Sequence, residues 1–259
     1  RLCSAQSQGI PPKDRIFATR KDALRPSFLQ FINCQDVLFE DFTIEDGPQW
    51  TIHPVYCSNV TARRLHVFTS GPNTDGFNPD SCENVLIEDC EFSTGDDCIA
   101  INSGMNEDGW RVNRPCRQVE IRNCRFNGGH AAIAIGSGMS GGVENIFVHH
   151  CTINGTERGI RLKTIPGRGG YIRIVLFQDL TIRHIPLEAI EISMAYGSST
   201  VVPLSQALPH IEEITFSRIS GNDLATGVSL CGLPESPRQN IHVDEVNRPG
   251  QHPDRLEYV

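Results

Sequence analysis

The apolar residues of this chain fall in short alternating segments, and they show no helical periodicity. Alternation of apolar and polar residues over roughly four to eight positions is typical of β-strands with one buried face. Gly, Asn, Asp and Pro separate the segments, and these are the residues that favour turns. The pattern therefore predicts an all-β protein built from many short strands.

The alternating segments recur as a repeat along the chain. Its clearest copies share a cysteine, two polar residues and an alternating apolar segment, and they start at Cys34, Cys57, Cys82 and Cys116. Weaker copies start near Val143, Tyr171, His210 and Gln239. Equivalent valines are 23 and 25 residues apart in the first three copies: Val37, Val60 and Val85. Short strands repeated at this interval predict a right-handed parallel β-helix, a solenoid that forms one domain over residues 1–259.

The repeat also explains most of the ten cysteines. The first cysteine of each clear copy occupies one repeat position, and a second position is occupied by Cys90, Cys124 and Cys151. We predict inward stacks of free thiols, because a buried free cysteine behaves as a small apolar residue. The sequence offers no Cys-x-x-Cys pair, and His149, His150 and Cys151 alternate between the faces of a strand. We therefore expect neither a metal site nor a cofactor.

Charge and composition narrow the function classes. The formal net charge is −8, which argues against nucleic acid and anionic membranes as partners, since both require a basic surface. The sequence has no apolar run near the roughly 20 residues that span a bilayer. It starts at Arg1 without a signal peptide pattern, and the segment before Lys13 shows no amphipathic helix that would cap a solenoid. A monomer that lacks upstream coils is therefore expected.

Polar residues collect on a second strand of each coil. The segments 95–101 and 129–135 align residue for residue, which places Asp96 over His130 and Asp97 over Ala131. One coil earlier, the segment 73–77 aligns Asp75 with Asp97. One coil later, the segment 159–163 directs its two basic residues to the same outward face. Because adjacent coils are about 4.8 Å apart, one groove should hold these six residues: Asp75, Asp96, Asp97, His130, Arg161 and Lys163.

This set of residues suits acid and base catalysis on an acidic sugar. Stacked carboxylates repel each other, so the pKa of at least one of them should rise. One can then donate a proton while another stays ionised and activates water. The cations Arg161 and Lys163 could bind a sugar carboxylate, and arginine can do so with two hydrogen bonds. An acidic protein could in this way accept an acidic polysaccharide.

Four motifs carry a resemblance to a known family. In chain order they are Asn73-Thr74-Asp75, Gly95-Asp96-Asp97, Gly129-His130 and Arg161-Leu162-Lys163. They resemble the signature motifs of glycoside hydrolase family 28, the polygalacturonases, and the flanking segments are similar to bacterial members. The resemblance implies hydrolysis of α-1,4 bonds between galacturonic acid residues of polygalacturonate, with inversion.

The resemblance also implies a role for each site residue. Asp96 would be the general acid, and Asp75 and Asp97 would together activate the water. His130 would support the protonation state of the acid. Substrate would be bound by Asn73, Arg161, Lys163 and Tyr196, the last in the motif Ala195-Tyr196-Gly197.

Two features depart from the expected pattern. The motif Gly-His-Gly of the family is Gly129-His130-Ala131 here, so an added methyl could crowd the groove. Carboxylates one coil apart would also indicate retention by the usual rule, since inverting pairs are about 6.5–9.5 Å apart. We follow the resemblance and expect inversion, because two carboxylates acting on one water fit a two-carboxylate rule poorly.

Two other functions remain open at the level of sequence. One is a calcium-dependent pectate lyase, because carboxylates could ligate Ca²⁺. The other is a truncated or inactive solenoid that binds acidic glycan without cleaving it. A substrate outside the cell favours a secreted or periplasmic protein, and the many free cysteines keep a cytoplasmic one possible.

Overall fold

The computed structural model describes residues 8–11, 14, 25–196, 207–237, 239–247 and 250–258. Over these ranges the chain is a right-handed parallel β-helix, as the repeat predicted, because strands of successive coils pair in parallel. Four strands begin at the predicted starts of the weaker copies: Val143, Tyr171, His210 and Gln239. Cys3 and most of the segment before Lys13 lie outside the described residues.

Three parallel sheets form the walls of the solenoid. The first contains β2 (Gln35–Glu40), β5 (Ser58–Arg63), β7 (Glu83–Glu88), β10 (Cys116–Arg122), β13 (Val143–His149) and β18 (Gln239–Asn247). The second contains β3 (Thr43–Glu45), β6 (His66–Phe68), β8 (Glu91–Ser93), β11 (Arg125–Phe126) and β14 (Thr152–Asn154). The third contains β1 (Leu29–Ile32), β4 (Ile52–Val55), β9 (Ile99–Ile101), β12 (Ala131–Gly136), β15 (Arg158–Lys163) and β20 (Arg255–Glu257). β16 (Tyr171–Ser193) and β17 (His210–Cys231) continue through all three, and β19 (Gly250–His252) pairs with β17.

The polar residues after each repeat cysteine form a ladder at the start of the first sheet. They adopt left-handed backbone conformations, with φ of 54° at Asp36, 55° at Asn59 and 57° at Asn84. Asn and Asp tolerate this conformation better than most residues. Their side chains also bond from coil to coil, since Asn84 Nδ2 donates to Asn59 Oδ1 at 2.8 Å and Asn59 Nδ2 donates to Asp36 Oδ1 at 2.8 Å. At the equivalent place in β16 stands Ile174, with φ of 54°.

The interior consists of stacks of like residues, one from each coil. Phe92 stacks on Phe126 with ring centroids 5.7 Å apart. The second cysteine position forms the stack that the sequence predicted, because Cys90, Cys124 and Cys151 are buried at equivalent places of successive coils, which are joined by hydrogen bonds from Arg125 N to Cys90 O and from Thr152 N to Cys124 O. The described cysteines are all free, and except for two partly exposed ones they are buried. Stacking of identical side chains follows from the in-register parallel pairing.

A short helix, α1 (Asn106–Val112), is an element that the strand pattern did not predict. Glu107 and Asp108 lie in its first turn and Arg111 in its last, which suits the helix dipole. Trp110 Nε1 donates to the carbonyl of Arg168 at 3.1 Å, so the helix is anchored beside the third sheet. Across the residues described, no helix combines the length and the apolar character needed to cross a membrane.

Candidate active site

The three aspartates lie where two successive coils enter the third sheet. Backbone hydrogen bonds fix them in register, since Gly76 N donates to Asp97 O at 3.1 Å. Gly95 permits this close approach of the coils, because a Cβ there would stand 2.1 Å from the carbonyl oxygen of Gly71. One carboxylate oxygen from each of Asp75, Asp96 and Asp97 lies within 4.8 Å of the others. The predicted carboxylate stack is therefore a compact triad of side chains.

Asp75 has the most strongly perturbed protonation of the three. Its side chain is buried, and Asn78 Nδ2 donates to its Oδ2 at 3.0 Å. Burial, followed by the charges of Asp97 and Asp96, raises the pKa of Asp75 to about 8. The rise expected for at least one stacked carboxylate thus falls on Asp75, which holds its proton up to mildly alkaline pH.

Lys163 is paired with Asp97. Its ammonium lies 2.7 Å from Asp97 Oδ2, and both side chains are buried, with 9% and 2% of their surface exposed. Burial lowers the pKa of Lys163, but the negative charge of Asp97 and the hydrogen bond to it outweigh burial and raise that pKa overall. The cation that the resemblance assigned to substrate is engaged within the protein, in a buried ion pair with Asp97.

Asp96 is more accessible and has several donors. Its Oδ1 accepts from the backbone N–H of Asp97 at 2.9 Å, and its Oδ2 accepts from Asn73 Nδ2 at 3.4 Å. His130 Nδ1 lies 3.2 Å from Asp96 Oδ1, and His130 Nε2 lies 3.9 Å from a carboxylate oxygen of Glu157. The ring of His130 therefore contacts Asp96 on one side and is partly exposed to solvent.

The methyl group of Ala131 does not protrude into the groove. It is fully buried against Ala100 and Ala134, in a small apolar cluster that is separate from the main core. The departure from Gly-His-Gly is therefore accommodated by packing beneath the groove.

Arg161 and Tyr196 form the end of the groove beyond Lys163. Arg161 Nε donates to Glu191 Oε2 at 2.6 Å, in the next coil. The ring of Tyr196 lies 5.0 Å from the Arg161 guanidinium carbon and 5.3 Å from the Lys163 ammonium. Tyr196 thus contacts both cations. Gly197 of its motif lies outside the described residues.

The site opens into a pocket of about 290 Å³. It brings together six of the eight predicted site residues: Asn73, Asp75, Asp96, Asp97, Lys163 and Tyr196. The other two, His130 and Arg161, stand outside its lining. Several other lining residues were not predicted to belong to the site: Asp80, Asn102, Gly104, Met105 and the segment 136–138. Alignment of Asp80 with Asn102, at the same offset of 22 residues as Phe77 with Ile99, could have identified that pair.

The three clustered carboxylates also have a geometry that could hold a cation. Ligation would require Asp75 to lose a proton that its burial retains. It would also place the metal beside the ammonium of Lys163, which already occupies Asp97 Oδ2. The electrostatics of this donor set therefore fit acid and base chemistry better than Ca²⁺ binding.

Comparison with known proteins agrees with this geometry. Residues 15–257 match the model of Glycosyl hydrolases family 28. A "Probable polygalacturonase" of Vitis vinifera is 33% identical over 226 residues, which cover 86% of this chain and 46% of that protein. The "Polygalacturonase-2" of Solanum lycopersicum is 29% identical over 232 residues, which cover 87% of this chain and 48% of that protein.

A solved structure extends the similarity to nearly the whole chain. A hyperthermoactive exopolygalacturonase from Thermotoga maritima superposes with a TM-score of 0.90 at 33% identity, over 99% of this chain and 57% of that one. The relatives thus include plant and bacterial proteins, and the chain spans about half the length of the curated relatives it matches. This chain belongs to glycosyl hydrolases family 28.

Proposed function

We propose that this protein is a polygalacturonase, which hydrolyses α-1,4 bonds between galacturonic acid residues of pectin with inversion at the anomeric carbon. The observation that carries the proposal is the carboxylate triad, in which Asp75 retains a proton and Asp97 is paired with Lys163. A lysine-paired carboxylate can take a proton from a water that a neighbouring carboxyl group holds in place, and this is what base-assisted attack by water requires. Because its substrate lies outside cells, the protein would act there, secreted or in the periplasm, as a monomer.

Asp97 is proposed as the principal base. Its Oδ2 is held by Lys163, and its Oδ1 is buried with no hydrogen-bond partner in the described structure. Asp75 Oδ1 is likewise buried without a partner. A water bound between these two oxygens would satisfy both and would lose its proton to Asp97, while Asp75 holds the water in place.

Asp96 is proposed as the general acid. It is the most accessible carboxylate of the triad, and the nearby ring of His130 can exchange protons with solvent. Asn73 bonds to Asp96 and lies in the pocket lining, where it can contact substrate as well. Arg161 and Tyr196 would bind a substrate unit beyond Lys163, Arg161 through the guanidinium edge that faces away from Glu191.

The experiment is reducing-sugar release from polygalacturonate in the presence of EDTA. We expect metal-independent release, its loss in the Asp96→Asn variant, and its retention in Asp89→Asn, a matched change at an exposed residue of the same coil. Release that stops on chelation and gives an unsaturated product would establish a lyase instead. Binding of oligogalacturonate without any release would establish a binding protein.

The stereochemistry gives a second test. The carboxylate oxygens lie within 4.8 Å of each other, a spacing that the two-carboxylate rule assigns to retention. We expect inversion, because Asp75 and Asp97 act on one water and neither attacks the sugar. Proton NMR of the first product formed distinguishes the outcomes, and a retained α-anomer would refute the proposed roles.

A further inference from the structure

The pocket has a second polar end, away from the carboxylate triad. Asp80 and Asn102 line it and face each other across adjacent coils as bridge partners. Each follows a triad aspartate by five residues, Asp80 after Asp75 and Asn102 after Asp97. At about 3.3 Å per residue of extended chain, this separation reaches up to roughly 16 Å. These two side chains therefore line a part of the pocket wall that is separate along the strands from the triad.

The carboxylate of Asp80 is fixed by one of its oxygens. Asp80 Oδ1 accepts from the backbone N–H of Gly104 at 2.9 Å and from Ser81 Oγ at 3.1 Å. Asp80 Oδ2 has no hydrogen-bond partner among the described residues, and the side chain contributes to the pocket wall. The pocket thus receives one carboxylate oxygen in a fixed orientation.

Asn102 presents an acceptor beside it. Its Nδ2 donates to the carbonyl of Ala100 at 3.2 Å, which fixes the orientation of the amide and leaves Oδ1 on the other side. Gly138 stands next to this oxygen, where a Cβ would lie 3.3 Å from it. A side chain at that position would crowd Asn102 Oδ1, so glycine keeps the oxygen open to the pocket.

The chemistry of the pair selects its ligand. Two acceptor oxygens require donors, and sugar hydroxyl groups are donors whereas an ionised carboxylate is not. Among the described residues that line the pocket, Lys163 is the cation, and it is engaged by Asp97. A substrate carboxylate next to Asp80 would therefore meet a like charge without compensation.

We propose that Asp80 and Asn102 form a hydroxyl-binding subsite, which accepts hydrogen bonds from neighbouring hydroxyl groups of a sugar unit next to the one that is cleaved. This inference rests on the proposed function, since the sugar unit belongs to the same oligogalacturonate. The subsite orients that unit with its hydroxyl edge towards Asp80 and its carboxylate away from it.

The substitution Asp80→Asn tests the direction of this hydrogen bond. An asparagine keeps an acceptor for the N–H of Gly104, so its amide NH₂ replaces Oδ2 at the pocket. The probe is trigalacturonate, with binding measured by calorimetry near neutral pH in an Asp96→Asn background that prevents turnover. Loss of a charge-assisted hydrogen bond should weaken binding about tenfold. Asp89→Asn is the matched control and should leave the affinity unchanged.

Every other outcome contradicts the proposed subsite. Tighter binding by the Asp80→Asn variant would mean that a substrate carboxylate faces Asp80, and unchanged binding would reduce Asp80 to an anchor for Gly104. Unfolding by urea, measured in parallel, shows whether the variant is folded; if it is not, Asn102→Ala repeats the test from the second acceptor. If the background protein itself fails to bind trigalacturonate, the proposed function fails together with the subsite. Binding that is intact but independent of Asp80 and Asn102 removes the subsite alone.

Discussion

Replacement of Asp75 by asparagine should stabilise the fold while it abolishes activity. Burial and the charges of Asp97 and Asp96 raise the pKa of Asp75 from 3.8 to about 8. Between these values the native protein holds a proton that the unfolded chain has released, so stability falls as pH rises. The stabilisation that this proton gives the native state is fully present below pH 3.8 and is lost as the pH rises through about 8. At about 1.4 kcal/mol per pH unit, the loss over this window reaches about 6 kcal/mol.

An asparagine cannot ionise, so Asp75→Asn avoids this loss. Its side-chain oxygen can still accept from Asn78, which keeps the local hydrogen bond. We expect the two proteins to have similar free energies of unfolding near pH 4. The variant should become progressively more stable than the wild type up to about pH 8, by several kcal/mol.

Urea unfolding at a series of pH values measures this difference directly, with fluorescence and circular dichroism as independent probes. Asp89→Asn is the control, because this exposed aspartate should give a difference that hardly changes with pH. A difference between Asp75→Asn and wild type that stays flat from pH 4 to pH 8 would refute the reasoning. If the difference in free energy of unfolding grows with pH but the variant still cleaves polygalacturonate, the raised pKa of Asp75 would be supported and its role in catalysis would be refuted.

Three further predictions concern other parts of the molecule. Lys163→Met should lower the free energy of unfolding by about 3–5 kcal/mol, because Asp97 is left buried and unpaired, and the added change Asp97→Asn should recover part of the loss in urea unfolding. Ile174→Asn should stabilise the protein by about 1 kcal/mol in the same assay, since a β-branched residue is strained at φ of 54° and this one is 46% exposed. Burial raises the pKa of Cys82 and Cys98 to about 12, so neither thiol should react with an alkylating reagent until denaturant is added, as mass spectrometry of the labelled peptides would show.

The fold was predictable because the repeat marks its coils directly. In-register parallel pairing places equivalent residues of successive coils next to each other, so one position is selected for the same chemistry each time. The valines, the second cysteines and the polar residues of the left-handed ladder are recognisable for this reason. Helix α1 was not predictable from the repeat, because it is a single helix of seven residues that occurs in one coil.

The candidate site was predictable as far as the alignment of coils extends. Asp75, Asp96 and Asp97 stand at aligned positions, and their proximity follows from the spacing of strands. The side chains that pair with Lys163 and Arg161 could not be predicted from the alignment of coils. Lys163 reaches Asp97 across 66 residues of sequence, and Arg161 bonds to Glu191 in a weak copy of the repeat. Side-chain orientation decides both contacts, and an alignment of strands does not contain it.

The same electrostatics bear on how an acidic protein accommodates an acidic polymer. The net charge is −8, and four aspartates line the pocket with Lys163. The proton on Asp75 removes one negative charge, and Lys163 compensates that of Asp97. Under the proposed function, tight burial of the carboxylates would serve binding as well as catalysis, because it keeps the charge of the pocket low. On the proposed function, the stability that Asp75 loses as pH rises from about 4 to about 8 would be a direct consequence of the arrangement that accepts a polyanion.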